Sequence, residues 1–171
     1  MALFLGGCAT LSPGKVAEGR GERAVIAGVP FVRQKADYCG PASLAMVLNY
    51  WGMAVSQEEI AEDIYSPELR GTLSAGMASY AAKRGFGVEV HNGNLQDLKD
   101  KIAAGFPLIV SHREKEGDER VHYLVVFGFD DGRRAFYLHS DGQRNLKMNY
   151  EDFSRRWDRA GNLMFQIEKR Q

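Results

Sequence analysis

Between Pro107 and His139 the chain carries three runs rich in Val, Leu, Ile and Phe: Pro107 to His112, Val121 to Phe129 and Arg134 to His139. Each is short and bounded by turn or charged residues, the pattern of strands in one sheet. The second and third are joined through Asp131-Gly132, a pair that favours a tight two-residue hairpin loop. Such a loop makes Asp130 face Arg133, Leu124 face His139 and His122 face Asp141. The sheet built from these strands is therefore expected to be antiparallel.

Upstream of Pro107 the signals are helical. Pro41 opens and Gly52 follows the apolar stretch Ala42 to Trp51, the placement these two residues take around a helix. Ser56 followed by Glu59 is a capping box opening a second helix to about Ile64. Thr72 to Lys83, ending at Gly85, reads as a third helix and Phe86 to His91 as a strand. Asn94 with Asp97, then Leu95, Leu98, Ile102 and a closing Gly105, gives a fourth helix. After the sheet, Asn149 to Trp157 reads as a short helix and Leu163 to Ile167 as a last strand. Helices followed by an antiparallel sheet define an α+β class, with the helices expected on one side of the sheet. At 171 residues, 44% of them hydrophobic, the chain is large enough to bury one core.

The first residues follow a different logic. Leu5-Gly6-Gly7-Cys8 resembles the bacterial lipoprotein box, in which a signal peptide is cut before a cysteine that then carries lipid. No Lys or Arg precedes the apolar run, and the run is shorter than a signal peptide's hydrophobic region. The expected organisation is a truncated lipoprotein signal segment over 1–7, a tether over 8–28 and a folded domain over 29–171. A lipid anchor at Cys8 followed by Ala9 implies a periplasm-facing lipoprotein of a bacterial envelope, on the outer rather than the inner membrane. The alternative is a chance match in an apolar N-terminus. No later segment approaches the length of a membrane span.

Lys plus Arg and Asp plus Glu both total 22, so the chain lacks the basic excess of a nucleic-acid binder. It contains no phosphate-binding glycine loop and no Cys/His cluster with metal-ligand spacing, so no cofactor or metal is implied.

The chemistry-bearing segment is Gln34-Lys-Ala-Asp-Tyr-Cys39-Gly40-Pro41. Cys39 falls just before the first turn of a helix, where unpaired N–H groups and the macrodipole favour a thiolate. Gln34 is close enough for its amide to reach the same point as the Cys39 backbone N–H, and the two would form an oxyanion hole. A thiol nucleophile also needs an imidazole to take its proton and a third group to hold that imidazole. The chain has four histidines, His91, His112, His122 and His139. The hairpin register favours His122 as base and Asp141 as orienter, since facing side chains lie on one side of a sheet. His112 comes second; His91 and His139 read as structural.

Gln34 to Gly40, the following helix ending in Asn49-Tyr50-Trp51-Gly52, Ser56-Gln-Glu-Glu-Ile, Gly71-Thr72, Pro107-Leu-Ile-Val, His122-Tyr-Leu-Val-Val, Asp141 and Phe153 to Trp157 carry a family likeness. Over Val29 to Phe165 the chain resembles the bacteriocin-processing cysteine peptidases, a papain-like family that cleaves leader peptides after a double glycine. The resemblance implies Gln34 as oxyanion donor, Cys39 as nucleophile, His122 as base and Asp141 as orienter. Many relatives have Asp-Pro where this chain has Asp141-Gly142. Bacteriocin-processing members precede a transporter with membrane spans and an ATPase, and this sequence has neither. It is more similar to the free-standing, lipoprotein-like members. The expected partners are a peptide or protein substrate and an export or envelope complex. Two other readings use the same features: a non-catalytic peptide-binding domain, and an acyltransferase or amidase working at the same thiol.

Overall fold

The computed structural model describes residues 22–118, 120–140 and 142–170. In chain order the elements are β1 (Arg23–Val25), α1 (Cys39–Tyr50), α2 (Gln57–Ile64), β2 (Tyr65–Ser66), β3 (Gly71–Thr72), α3 (Ser74–Lys83), β4 (Phe86–Asn92) and α4 (Leu95–Ala103). They continue with β5 (Leu108–His112), β6 (His122–Asp130), β7 (Ala135–Ser140), β8 (Gln143–Asn149), α5 (Tyr150–Asp158) and β9 (Leu163–Lys169). The main sheet runs β4-β9-β5-β6-β7-β8, with β1 also paired to β6, and every pairing is antiparallel.

The helix signals hold because each has its chemistry in place. Ser56 and Glu59 form the reciprocal capping box at α2, the Asn94 side chain accepts from Gln96 and Asp97 N–H at α4, and Asn149 accepts from Asp152 N–H at α5. Gly85 and Gly105 lie at positive φ just past α3 and α4, where a left-handed residue closes the helix. Thr72 belongs to β3, so α3 starts two residues later than its pattern suggests.

The helices do not all lie on one side of the sheet. Leu44, Val47 and Leu48 of α1, Ile60 of α2 and Met77 and Tyr80 of α3 share a core with Ile109, Tyr123, Val125 and Phe165. On the opposite face, Leu98 and Ile102 of α4 and Phe153 and Trp157 of α5 pack with Val110, Leu124, Val126 and Leu138. Covered on both faces, β5 and most of β6 are buried residue after residue, which is why their sequences read as continuous apolar runs. Residues two apart on a strand normally share a face, yet Phe127 lies in the first core and Phe129 in the second. A register shift between Val126 and Gly128 turns the strand over, as a bulge does.

The β6–β7 hairpin differs from its predicted form. Asp130 pairs with Ala135, not Arg133, and beyond the shift Val125 pairs with His139, where a two-residue loop would give it Leu138. Side chains decide the longer loop. The Asp130 carboxylate accepts from Arg133 N–H at 2.9 Å and from its guanidinium at 2.8 Å, and Arg134 takes φ of 47°. Asp131 opens the turn, its carbonyl accepting from Arg134 N–H at 3.1 Å, and its carboxylate is held by Lys99 of α4 at 2.5 Å and by the Tyr150 hydroxyl of α5 at 2.6 Å. Asp141, the expected partner of His122, lies outside the described residues, together with Cys8 and the rest of 1–21. The expected domain start at Val29 is also corrected: β1, inside the stretch read as tether, pairs with β6 at Gly128, Phe129 and Asp130. Polar β8 and the two-residue strands β2 and β3 gave no pattern to read.

Asn49 ties the end of α1 to the approach to α2. Its Nδ2 donates to the carbonyls of Ala45 and Val55, both at 2.8 Å, and its Oδ1 accepts from Val55 N–H at 3.0 Å. Removing it takes away the side chain that satisfies both the Val55 N–H and the Val55 carbonyl. Asn49→Ala should lower unfolding free energy by about 1–3 kcal/mol, read as a shift in the urea midpoint. Asn49→Asp should not rescue it, because a carboxylate would face two carbonyl oxygens. Wild-type midpoints for both would remove Asn49 from this role.

Candidate active site

Cys39 is the first residue of α1 and partly buried against the first core. The N-cap of this helix is Tyr38, with no side-chain cap hydrogen bond and no acidic residue in the first turn. That leaves the positive end of the macrodipole facing the sulfur, a setting that favours the thiolate. Gly40 has a steric reason as well: a Cβ there would lie 3.0 Å from the Thr72 Cβ and 3.3 Å from the Met77 sulfur. A side chain there would have to push Thr72 or Met77 back by a few tenths of an ångström, so glycine favours this close approach of α1 to β3 and α3.

The turn before α1 folds back on itself. Tyr38 N–H donates to the Lys35 carbonyl at 3.1 Å, and Asp37 takes a positive φ of 64°. Asp37 is held there by Arg70 at 3.0 Å and by Arg120 at 3.4 Å, which tie the turn to the β2–β3 hairpin and to the segment entering β6. Gln34 precedes this turn and is half-buried. No local motif announces the group that holds its flanks: Gln57, at the first position of α2, accepts from Lys35 N–H at 3.0 Å and donates to the Arg33 carbonyl at 2.9 Å.

His122 is the first residue of β6, and its Nε2 lies 3.0 Å from the Ser140 hydroxyl at the end of β7. Ser140 belongs to no motif of its own and is marked in the sequence by its adjacency to Asp141. The next residue, Tyr123, links β6 to the cysteine. Its hydroxyl is 2.7 Å from Ser74 Oγ at the start of α3. Burial raises the phenol's pKa, the Ser74 bond opposes that rise, and the nearby Cys39 charge adds to it. The starts of α1, α3 and β6 thus converge on one place.

The other histidines are occupied elsewhere. His139 is buried between Phe31 and Phe127, with Asn145 N–H donating to its Nδ1 at 3.1 Å and Val29 O 3.4 Å from its Nε2. His91 sits by the β4 edge, 2.9 Å from the Asp97 carboxylate. His112 pairs with His122 across β5 and β6 but is 2% exposed, with its ring edge-on to Phe153. Burial, reinforced by the His122 and Arg156 charges, holds its pKa down at about 3. It stays neutral in any ordinary buffer and is walled off from solvent, which disqualifies it as the proton acceptor.

A cavity of about 670 Å³ lies away from Cys39, between α4, α5 and the β6–β7 loop, and Lys99, Asp131 and Tyr150 in its lining bind one another. No helix among the described residues is long and apolar enough to cross a membrane.

Helices leaning on an antiparallel sheet, with a cysteine at the first turn of the central helix and a histidine at the start of a central strand, define the papain-like cysteine peptidase fold. Residues 26–165 match the Peptidase_C39 like family, and the chain belongs to it. It is 31% identical over 121 residues to the transport/processing ATP-binding protein ComA of Streptococcus pneumoniae, a match covering 70% of this chain and 16% of ComA. The chain thus spans under a fifth of that relative. Among solved structures, the peptidase domain of Streptococcus ComA superposes with a TM-score of 0.67 at 23% identity, covering 86% of this chain and 98% of that domain. A double-glycine motif protease from an AMS/PCAT transporter, solved in complex with the leader peptide, gives 0.68 at 24% identity, covering 86% and 99%.

The buried neutral imidazole has a measurable consequence. Below about pH 6.5 the unfolded chain binds a proton at His112 that the folded chain refuses until about pH 3. Its contribution is therefore complete above the unfolded pKa and lost as pH falls through that window. His139, also lowered by burial, acts in the same sense. His112→Leu should flatten the acid limb of stability against pH, measured by urea unfolding at a series of pH values. An unchanged slope would show that His112 does not titrate this way.

Proposed function

We propose that the chain is a cysteine peptidase: Cys39 is the nucleophile, His122 the base, Asp141 the orienter and Gln34 an oxyanion donor. The observation that carries this reading is the start of α1, which has no side-chain cap and sets Cys39 at the positive end of a helix packed on the strand opened by His122. In this scheme the thiol proton passes to His122 and the sulfur attacks the peptide carbonyl. The negative oxygen so formed meets the Cys39 N–H and the Gln34 amide. The amine leaves with the imidazolium proton, and water then splits the thioester, returning the thiol and releasing the acid.

The substrate class follows from kinship. One structural relative acts on a double-glycine motif, and we carry that over as cleavage after Gly-Gly. Family membership over most of the chain supports peptide hydrolysis ahead of acyl transfer to another acceptor.

Peptides released from a bacterial envelope proteome by the wild type and by Cys39→Ala, identified by mass spectrometry, test this reading. Cleavage sites ending in Gly-Gly should be present with the wild type and absent with the variant; equal release by both would refute it. Gln34→Ala should lower kcat by roughly 10²- to 10³-fold with KM nearly unchanged, because its amide meets charge found only after attack. A change confined to KM would remove Gln34 from the oxyanion hole.

A further inference from the structure

We propose that Gln57 is a positioning residue that aims Gln34 at the oxyanion, acting through the backbone on both sides of it; the inference rests on the peptidase reading above. The stretch from Ile26 to Tyr38 contains no helix or strand, so Gln34 has no ladder to hold it. An oxyanion donor nevertheless has to be fixed to within a fraction of an ångström. The Gln57 amide supplies what a neighbouring strand would. Its Oε1 takes the Lys35 N–H at 3.0 Å and its Nε2 gives to the Arg33 carbonyl at 2.9 Å, the two groups flanking Gln34. One carboxamide thus replaces one cross-strand peptide unit.

Gln57 itself is well placed to act as an anchor. It is 7% exposed, which is unusual for a glutamine, and both ends of its amide are used. Its backbone sits in the capping box of Ser56 and Glu59, and one residue before that box Asn49 grips Val55. Glu58 adds an exposed ion pair to Lys35 at 2.6 Å. A closed circuit results, running from Cys39 along α1 to Asn49, across to α2, and through Gln57 back to Gln34. A glutamine needed only for stability would make the same bonds, so the test must read the oxyanion itself.

The probe is p-nitrophenyl acetate, which needs no knowledge of the natural peptide. The Cys39 sulfur attacks the ester carbonyl, the C–S bond forms, the bond to p-nitrophenolate breaks, and that anion leaves with the electron pair. Iodoacetamide alkylation of the same sulfur passes through no oxyanion. Gln57→Met, close in volume and without hydrogen bonds, should slow acylation by about 10- to 100-fold while alkylation is unchanged. In a Gln34→Ala background the same substitution should cost almost nothing more, since the group it positions is gone. Gln57→Glu, which can still accept from Lys35 but opposes the Arg33 carbonyl, should fall between. Equal losses with and without Gln34, or parallel losses in acylation and alkylation, would overturn the proposal. Acylation that persists in Cys39→Ala would overturn the peptidase reading beneath it.

Discussion

The burial of α1 is the constraint to which the rest of the molecule answers. Nine consecutive residues, Gly40 to Leu48, are buried, so this helix has no solvent face over most of its length. A helix apolar all round must be covered from every side. The sheet supplies one side through Tyr123, Val125 and Phe165, and α2 and α3 supply others through Ile60, Met77 and Ala81. Each fully buried Leu, Val or Met contributes about 1.5–3 kcal/mol relative to exposure, and α1 carries Leu44, Met46, Val47 and Leu48. The same covering fixes where the helix begins, and hence where Cys39 stands.

Chemistry at that end depends on what the packing leaves out. Helices α2, α4 and α5 are capped by Ser56, Asn94 and Asn149, whereas α1 starts at Tyr38 with no side-chain cap. A side-chain acceptor there would quench the N–H groups that favour a thiolate. The loop preceding Cys39 is held from its flanks, by Gln57 on one side and by Arg70 and Arg120 on Asp37 on the other. The exposed arginine pairs contribute little to stability but bind three segments around the site.

Two histidines facing each other across adjacent strands show how position sets chemistry. His112 and His122 share a register, yet one is sealed against Phe153 and kept neutral while the other opens its strand beside a hydroxyl. The sealed one is a core residue with a polar cost, its Nε2 having no hydrogen-bond partner among the described residues.

Local chemistry was legible in the chain: the capping residues of α2, α4 and α5, the apolar runs of β5, β6 and β7, and the Cys-Gly-Pro start of α1 each signal through neighbours in sequence. The antiparallel α+β class followed from their order, while Gln34, Cys39 and His122 were singled out as candidates by their place along the chain, the assumed hairpin register and family likeness. What the sequence could not convey depended on contacts between distant segments. The hairpin took a longer loop because Lys99 and Tyr150 capture Asp131, and the strand turned over because of the shift beside Gly128. Neither Gln57 nor Ser140 carries a local motif; the partners Arg33, Lys35 and His122 lie 18 or more residues away in the chain. Periodicity and capping are properties of a few adjacent residues; register between strands, division of helices between two faces and support of a loop are properties of the packed whole.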